Sequence, residues 1–342
     1  MAHHREEPES REPGLPTPRG PLSRGVEAYL RGEGRLPRLE DVARAAVYGE
    51  DLQLALYLCY ELHYRGFAGV SPDREWDPEL LRIRAALEHR FLSALRADAR
   101  VHDSVDEALA GLLVEPVDGR GVTHFLRDEG ELWHVREYAA QRSLYHLKEA
   151  DPHAWVLPRL WGRAKAAMAA VEFDEWGGGR ADRVHARLFA DLMTDLGLDT
   201  TYGRYLDAAS AEALVTVNLM SLFGLHRALR GALVGHFAAV EITSSPGSRR
   251  LAEAMRRTGA GPAAEHFYDE HVEADAVHEQ VVRHDVIGGL LELEPHLAPD
   301  VAFGIDATEF VEERFGARLL ADWRASRSSL RATIAQETVD IS

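Results

Sequence analysis

Three side chains able to ligate a metal occur close together within residues 267–280: His271, Asp275 and His278. With 3.6 residues in a helical turn, these positions point within roughly 60° of one another. Two imidazoles and one carboxylate on one helical face form a metal half-site, and this ligand mix suits non-heme Fe(II) better than calcium or structural zinc. The simpler interpretation is a solvated acidic helix face, since the chain carries 17 His and 56 acidic residues.

Three more residues upstream could contribute to such a site. Glu175 and His185 flank three consecutive glycines at 177–179, which disfavour a continuous helix by roughly 1 kcal/mol each relative to Ala. A turn here would let Glu175 and His185 approach one point. Glu241 borders the apolar stripe of a predicted helix, where an unpaired carboxylate is costly, so a metal is one candidate partner. His236 lies beside the same stripe and is expected to be a hydrogen-bonded core histidine.

Composition argues against several classes of function. The net charge of −17 disfavours a nucleic-acid-binding surface, because neutralising phosphates requires clustered Lys and Arg. Cys59 is the single cysteine, which rules out an intramolecular disulfide and fits a reducing cytoplasm. No apolar run approaches the roughly 18 residues of a membrane span. The glycines at 177–179 lack the preceding strand and the spacing of a dinucleotide-binding loop.

The hydrophobic pattern is helical throughout, and alternating segments typical of strands are missing. We expect residues 1–22 to form a disordered, polar tail, residues 23–120 a helical extension or cap, and residues 121–342 the main helical domain. The Ser-Ser-Pro-Gly sequence after Thr243 predicts the end of one helix, with a separate short helix over residues 249–258. One helix of the main domain carries four side chains that could line a pocket: Glu137, Tyr138, Arg142 and Tyr145.

The order of the candidate ligands resembles the heme-oxygenase-like di-iron oxidases and oxygenases, also described as iron-containing redox enzymes. The likeness runs from about Glu137 to the C-terminus. It rests on the ligand order and on the strings at residues 174–177, 185–189 and 224–236. The resemblance implies an all-α bundle of about seven core helices, to which the N-terminal helices add a further layer.

The resemblance also implies a centre of two Fe ions with O2 as co-substrate. Its six expected ligands are Glu175, His185, Glu241, His271, Asp275 and His278. Glu175 and His185 would hold one iron, and Glu241 would bridge the two irons or complete the pair. Three glycines separate Glu175 from His185, which leaves the position of Glu175 the least certain of the six. Glu172 and Asp174 are the natural substitutes for Glu175.

The implied function is that of a non-heme di-iron oxidoreductase. It would activate O2 to oxidise a small organic substrate of the amine, amino acid or carboxylic acid class. The expected partner is this small molecule, with neither a nucleic acid nor a membrane; a homodimer and an electron donor stay open. Two alternatives also stay open: a metal-independent enzyme on the same scaffold, and a non-enzymatic helical binding protein in which Glu241 would pair with an Arg.

Overall fold

The computed structural model describes residues 12–100, 102–113 and 119–332, except for the side chains of residues 273–277. Its α-helices, which we label α1–α15, are α1 (Pro21–Leu30), α2 (Leu39–Arg44), α3 (Glu50–Glu61), α4 (Pro78–Asp98), α5 (Val105–Leu113), α6 (Val122–Asp128), α7 (Leu132–His146), α8 (Asp151–Ala154), α9 (Gly162–Glu175), α10 (His185–Asp195), α11 (Ala211–Leu225), α12 (Arg230–Thr258), α13 (Pro262–Val281), α14 (Gly288–Leu293) and α15 (Ala298–Arg324). No strand occurs in this part of the chain, which confirms the all-α prediction. None of the described helices is long and apolar enough to cross a membrane.

Seven long helices form the bundle that follows residue 121: α7, α9, α10, α11, α12, α13 and α15. The central helix α12 packs against both α13 and α15, while α13 contacts α10 and α11 contacts α15. This arrangement agrees with the expected number of core helices. It also brings α9, α10, α12 and α13, which carry the candidate ligands, to neighbouring positions.

The N-terminal helices share the core of the bundle. Helix α3 packs on α1 and α11, and α4 packs on α3 and α15. Every residue of α3 from Leu52 to Glu61 is buried, as expected for a helix that has neighbours on all sides. Cys59 lies in this helix, and burial raises the pKa of its thiol to about 12. A buried thiol with a raised pKa is expected to be unreactive.

The chain before α1 lies along the folded domain. The Thr17 amide donates to Asp207 at 2.8 Å, and the Ala68 amide donates to the Pro13 carbonyl oxygen at 2.9 Å. Helix α1 begins at Pro21, so the predicted tail boundary at residue 22 falls inside it. Residues 1–11 lie outside the described part of the chain.

Helix α12 runs without a break from Arg230 to Thr258, so the predicted helix end near Thr243 is wrong. Pro246 lacks the backbone N–H that would continue the helical ladder, and such a proline often ends a helix. Here α12 packs against both α13 and α15, and this packing offsets the loss of one hydrogen bond. The Ser245 hydroxyl also donates to the Val272 carbonyl oxygen of α13 at 3.4 Å.

The backbones of α12 and α15 touch where they cross. A Cβ atom at Gly235 would collide with the Val301 carbonyl oxygen, and one at Gly304 would collide with the Ala232 carbonyl oxygen. Reciprocal glycines therefore set the distance between the two helices at this crossing. Overpacking such a contact forces backbone shifts.

We predict that Gly235→Ala lowers the free energy of unfolding by about 1–3 kcal/mol, because the helices must separate to admit the methyl group. The control is Gly247→Ala on the same helix, where an added Cβ would meet nothing within 4 Å. The control should be neutral or stabilising by up to about 1 kcal/mol. Denaturant unfolding followed by circular dichroism compares the two, and equal changes would contradict the close crossing.

Candidate metal centre

Glu175 and His185 meet across the turn between α9 and α10, as the sequence predicts. Helix α9 ends at Glu175, and the glycines at 177–179 adopt φ angles of +74°, +60° and +80°, which glycine tolerates without steric cost. Helix α10 begins at His185. Nδ1 of His185 lies 2.7 Å from Oε2 of Glu175, but the pair lacks hydrogen-bond geometry. Two electron-pair donors placed in this way can share one cation.

A first cluster of four ligand-type side chains surrounds this pair. Glu149, Glu175, His185 and His271 each direct one ligand atom to positions within 4.8 Å of one another. Nδ1 of His271 donates to the Phe267 carbonyl oxygen at 2.7 Å. Its Nε2 therefore faces the cluster, 3.8 Å from Oε2 of Glu149. Fixing one ring nitrogen to a carbonyl in this way is typical of metal-binding histidines.

A second cluster adjoins the first and shares Glu175 with it. It consists of Glu175, Glu241 and His278, again within 4.8 Å of one another. Nδ1 of His278 lies 3.0 Å from Oε2 of Glu241 and 3.9 Å from Oε1 of Glu175. Its Nε2 lies 3.3 Å from the Asp174 carboxylate. A π-helical segment, Val282–Ile287, directly follows α13, and such segments are frequent beside functional sites.

Excess negative charge is buried at these clusters. Burial raises the pKa of Glu172 well above its usual range, and the charges of Glu175 and Glu241 raise it further. Burial alone would lower the pKa of His278, but the hydrogen bond and charge of Glu241, together with Glu175, outweigh it and raise the pKa to about 9. Both shifts favour added positive charge, which a metal cation would supply.

The structure brings together five of the six expected ligands. The backbone of Asp275 lies in α13 between His271 and His278, but its side chain lies outside the described residues. Of the expected substitutes for Glu175, Glu172 is buried outside both clusters. Asp174 instead contacts His278 from the exposed side.

The sequence analysis missed Glu149. It follows α7, and its neighbour at helical spacing, His146, belongs to neither cluster. The signal used for Glu241, a carboxylate near the end of a core-facing helix, would also have found it. Oε1 of Glu149 lies 2.8 Å from Nδ1 of His146. Burial would raise the pKa of Glu149, but His146 and His271 outweigh burial and hold it well below its usual range.

Polar contacts fix the chain on both sides of Glu149. The buried Lys148 ammonium pairs with Glu61 of α3 at 3.2 Å. The Asp151 carboxylate accepts hydrogen bonds from the Tyr64 hydroxyl and from the Trp176 indole N–H. These contacts tie the segment that carries Glu149 to α3 and to the end of α9.

Between these contacts, the backbone of Ala150 is strained. Ala150 has φ +72° and ψ −41° and is 1% exposed, and L-residues with a side chain rarely adopt positive φ. Strain of this kind persists only where surrounding contacts impose it, and it is frequent at functional sites. Here the turn directs Glu149 towards the first cluster.

We predict that Ala150→Gly raises the free energy of unfolding of the metal-free protein by roughly 0.5–1 kcal/mol, because glycine relieves the positive φ. The control is Ala166→Gly on the exposed face of α9, which should lower it by about 1 kcal/mol. Urea unfolding measures both. A loss of stability at residue 150 equal to that at residue 166 would show that the turn is not strained.

A cavity of about 390 Å³ borders the first cluster, with Glu149 and His271 in its wall. Of the four side chains expected near a pocket, three line this cavity: Tyr138, Arg142 and Tyr145. Glu137 does not line it, because its carboxylate accepts hydrogen bonds from the Trp323 indole N–H at 3.0 Å and from Ser329. A second, much smaller cavity lies at the clusters themselves, lined by Tyr145, Glu149, Glu175, Glu241 and His271 among others.

Comparison with known proteins identifies the class of this protein. Residues 136–312, slightly more than half of the chain, match the family of iron-containing redox enzymes. The chain therefore belongs to this heme-oxygenase-like family. The matched region contains both clusters.

One similar protein is the nitrosourea synthase of Streptomyces achromogenes subsp. streptozoticus, which is 25% identical over 173 residues. The similar region covers 50% of this chain and 37% of that relative. The chain thus spans little more than a third of the length of this relative.

Proposed function

We propose that the protein is a non-heme di-iron oxidase or oxygenase that uses O2 to oxidise a small organic substrate. The observation that carries this proposal is the pair of adjoining clusters that share the Glu175 carboxylate. A carboxylate has two oxygens and can contact two cations at once. Membership of an iron-containing redox family supports iron as the metal.

The two clusters suggest a division of the ligands between the irons. Glu149, His185 and His271 would hold the first iron, and Glu241 and His278 would hold the second, with Glu175 between them. Asp275 remains a proposed ligand from its position in the same helix as His271 and His278. Carboxylate oxygens and neutral imidazoles suit iron, and the negative charge buried here would offset the charge of two cations.

When bound, the iron pair would supply the redox chemistry that activates O2 towards an organic substrate. The protein's own residues would fix the ligands and shape the site. Phe267 holds the His271 ring through its carbonyl oxygen, and Asp174 contacts the outer nitrogen of His278. The adjoining cavity can hold a substrate beside the first cluster, and burial of the ligands excludes bulk water.

Nδ1 of His278 lies 3.0 Å from the Glu241 carboxylate and 3.9 Å from the Glu175 carboxylate. A histidine held between two buried carboxylates supports a cation site better than it supports a scaffold contact.

We predict that the protein, reconstituted anaerobically with Fe(II), binds about two irons per chain, as expected for a two-metal site. Glu149→Gln and Glu241→Gln should each retain about one iron, because each removes a ligand from one cluster only. Glu253→Gln, an exposed position on α12, is the control and should bind as the wild type does. Elemental analysis after desalting measures the iron content.

The iron contents test the two-iron centre and its ligands separately. Background iron in the wild type would refute the di-iron proposal. Wild-type iron content in both cluster variants would refute these ligands.

We also predict that mixing the iron-loaded protein with O2 produces a transient visible absorption band, because oxidation of ferrous ions changes their electronic spectrum. His185→Ala should lose the band together with first-cluster iron, whereas Glu253→Gln should keep it. Stopped-flow spectroscopy makes the measurement. A fully iron-loaded wild-type protein without any O2-dependent change would refute the oxygenase proposal even if both irons bind.

A further inference from the structure

Tyr64 contacts the chain on both sides of Glu149 and Ala150. It lies in the turn that follows α3 and so belongs to the N-terminal helical region. Its hydroxyl donates to Oδ2 of Asp151, and the Lys148 ammonium lies 5.3 Å from the centre of its ring. Each contact involves a charged group, a carboxylate in one case and an ammonium facing an aromatic ring in the other. One side chain therefore holds the residues before and after the strained turn.

Lys148 has a second contact with the same region. Its ammonium pairs with the Glu61 carboxylate of α3 at 3.2 Å, and both side chains are almost completely buried. Separating such a pair is costly, because each charge would remain buried without a partner. Helix α3 therefore fixes the residue directly before Glu149.

Asp151 connects Tyr64 to a second ligand-bearing segment. While Oδ2 accepts from the Tyr64 hydroxyl, Oδ1 accepts from the Trp176 indole N–H at 3.2 Å. Trp176 directly follows Glu175, the carboxylate that both clusters share. The two oxygens of Asp151 thus join the turn after α3 to the end of α9, and Glu149 lies two residues before this junction.

These contacts act against the local preference of the backbone. Ala150 has φ +72°, which a residue with a side chain keeps only where surrounding contacts impose it. Without the hydrogen bond from Tyr64, the turn can relax towards negative φ. The Glu149 carboxylate would then move away from His185 and His271, with which it forms the first cluster.

We propose that Tyr64 is a positioning residue for the first iron, and that it acts by holding Lys148 and Asp151 so that Glu149 reaches the cluster. Tyr64 and Glu61 lie outside residues 136–312, the region that matches the family. The N-terminal helices therefore form part of the metal site as well as a further layer of the bundle. This inference rests on the proposed function, because it concerns the iron that Glu149 would hold.

The test measures both Fe(II) dissociation constants of the full-length protein by anaerobic titration against a competing chelator. Tyr64→Phe keeps the ring and removes the hydroxyl that donates to Asp151. One constant should rise about tenfold, the lower end of the range for contacts behind metal ligands, and the other should stay unchanged. Asp151→Asn has one acceptor oxygen fewer and should act similarly. An equal rise in both constants would overturn the proposal.

Tyr29→Phe is the matched control. The Tyr29 hydroxyl donates to Asp77 at 2.7 Å, so a hydrogen bond of the same kind is lost within the N-terminal helices, and neither residue belongs to a cluster. This variant should keep both dissociation constants of the wild type, even if urea unfolding shows that it loses as much stability as Tyr64→Phe. Equal iron affinities in the two variants would contradict a positioning role for Tyr64.

A double variant tests whether Tyr64 acts through Glu149. In the Glu149→Gln background, Tyr64→Phe should leave the affinity for the remaining iron unchanged, because the ligand that Tyr64 positions is already lost. Independent effects would add. A further tenfold weakening in this background would therefore overturn the assignment to Glu149.

Iron binding by the wild type separates failure of this inference from failure of the proposed function. Background iron in the wild type would refute the di-iron centre, and the positioning role with it. Two irons per wild-type chain, with the same two affinities in Tyr64→Phe, would refute the positioning role alone.

Discussion

The burial of several carboxylates at one place in the bundle is the constraint on which the rest of the structure depends. Glu172, Glu175 and Glu241 are each at most 6% exposed, and Glu149 joins two of them in the adjoining clusters. Burying unneutralised charge is costly. The carboxylates raise the pKa of His278 to about 9, which shows that the site attracts a positive charge. A site built in this way favours cations.

The fold holds these carboxylates together through local features that stability alone would not select. Positive φ angles at the glycines between α9 and α10 reverse the chain and bring His185 to Glu175. Ala150 adopts a strained backbone beside Glu149, held by contacts from α3 and α9. Helix α12 continues through Pro246 because α13 and α15 enclose it. At each of these positions the backbone departs from its local conformational preference, and the departure helps to place the ligands.

Residue type and spacing were enough to predict most of the candidate ligands. The His271 and His278 pair, the glycine turn beside Glu175, and Glu241 on a core-facing edge all carry local signals, and the structure brings them together. Glu149 carries the same signal as Glu241, a carboxylate near the end of a core-facing helix, but its approach to the cluster depends on a turn at Ala150 that no propensity favours. The break predicted at Pro246 was wrong because packing on both sides of α12 outweighs the loss of one hydrogen bond. Tertiary contacts determine the course of the backbone at Ala150 and at Pro246, and local patterns in a single sequence do not predict those contacts.

Buried charge is neutralised in different ways at the metal clusters and in the cavity wall. In the cavity wall, Arg142 neutralises Glu312 and, despite burial, lowers the pKa of that carboxyl. At the clusters, the described contacts to Glu175 are histidines, so several negative charges remain for a small, highly charged cation. The cavity wall carries side chains of both signs, among them Arg142 and Arg250 as well as Glu309 and Glu312. The groups of converging metal ligands found among the described residues lie at the two clusters, so the iron pair is proposed there and not in the cavity.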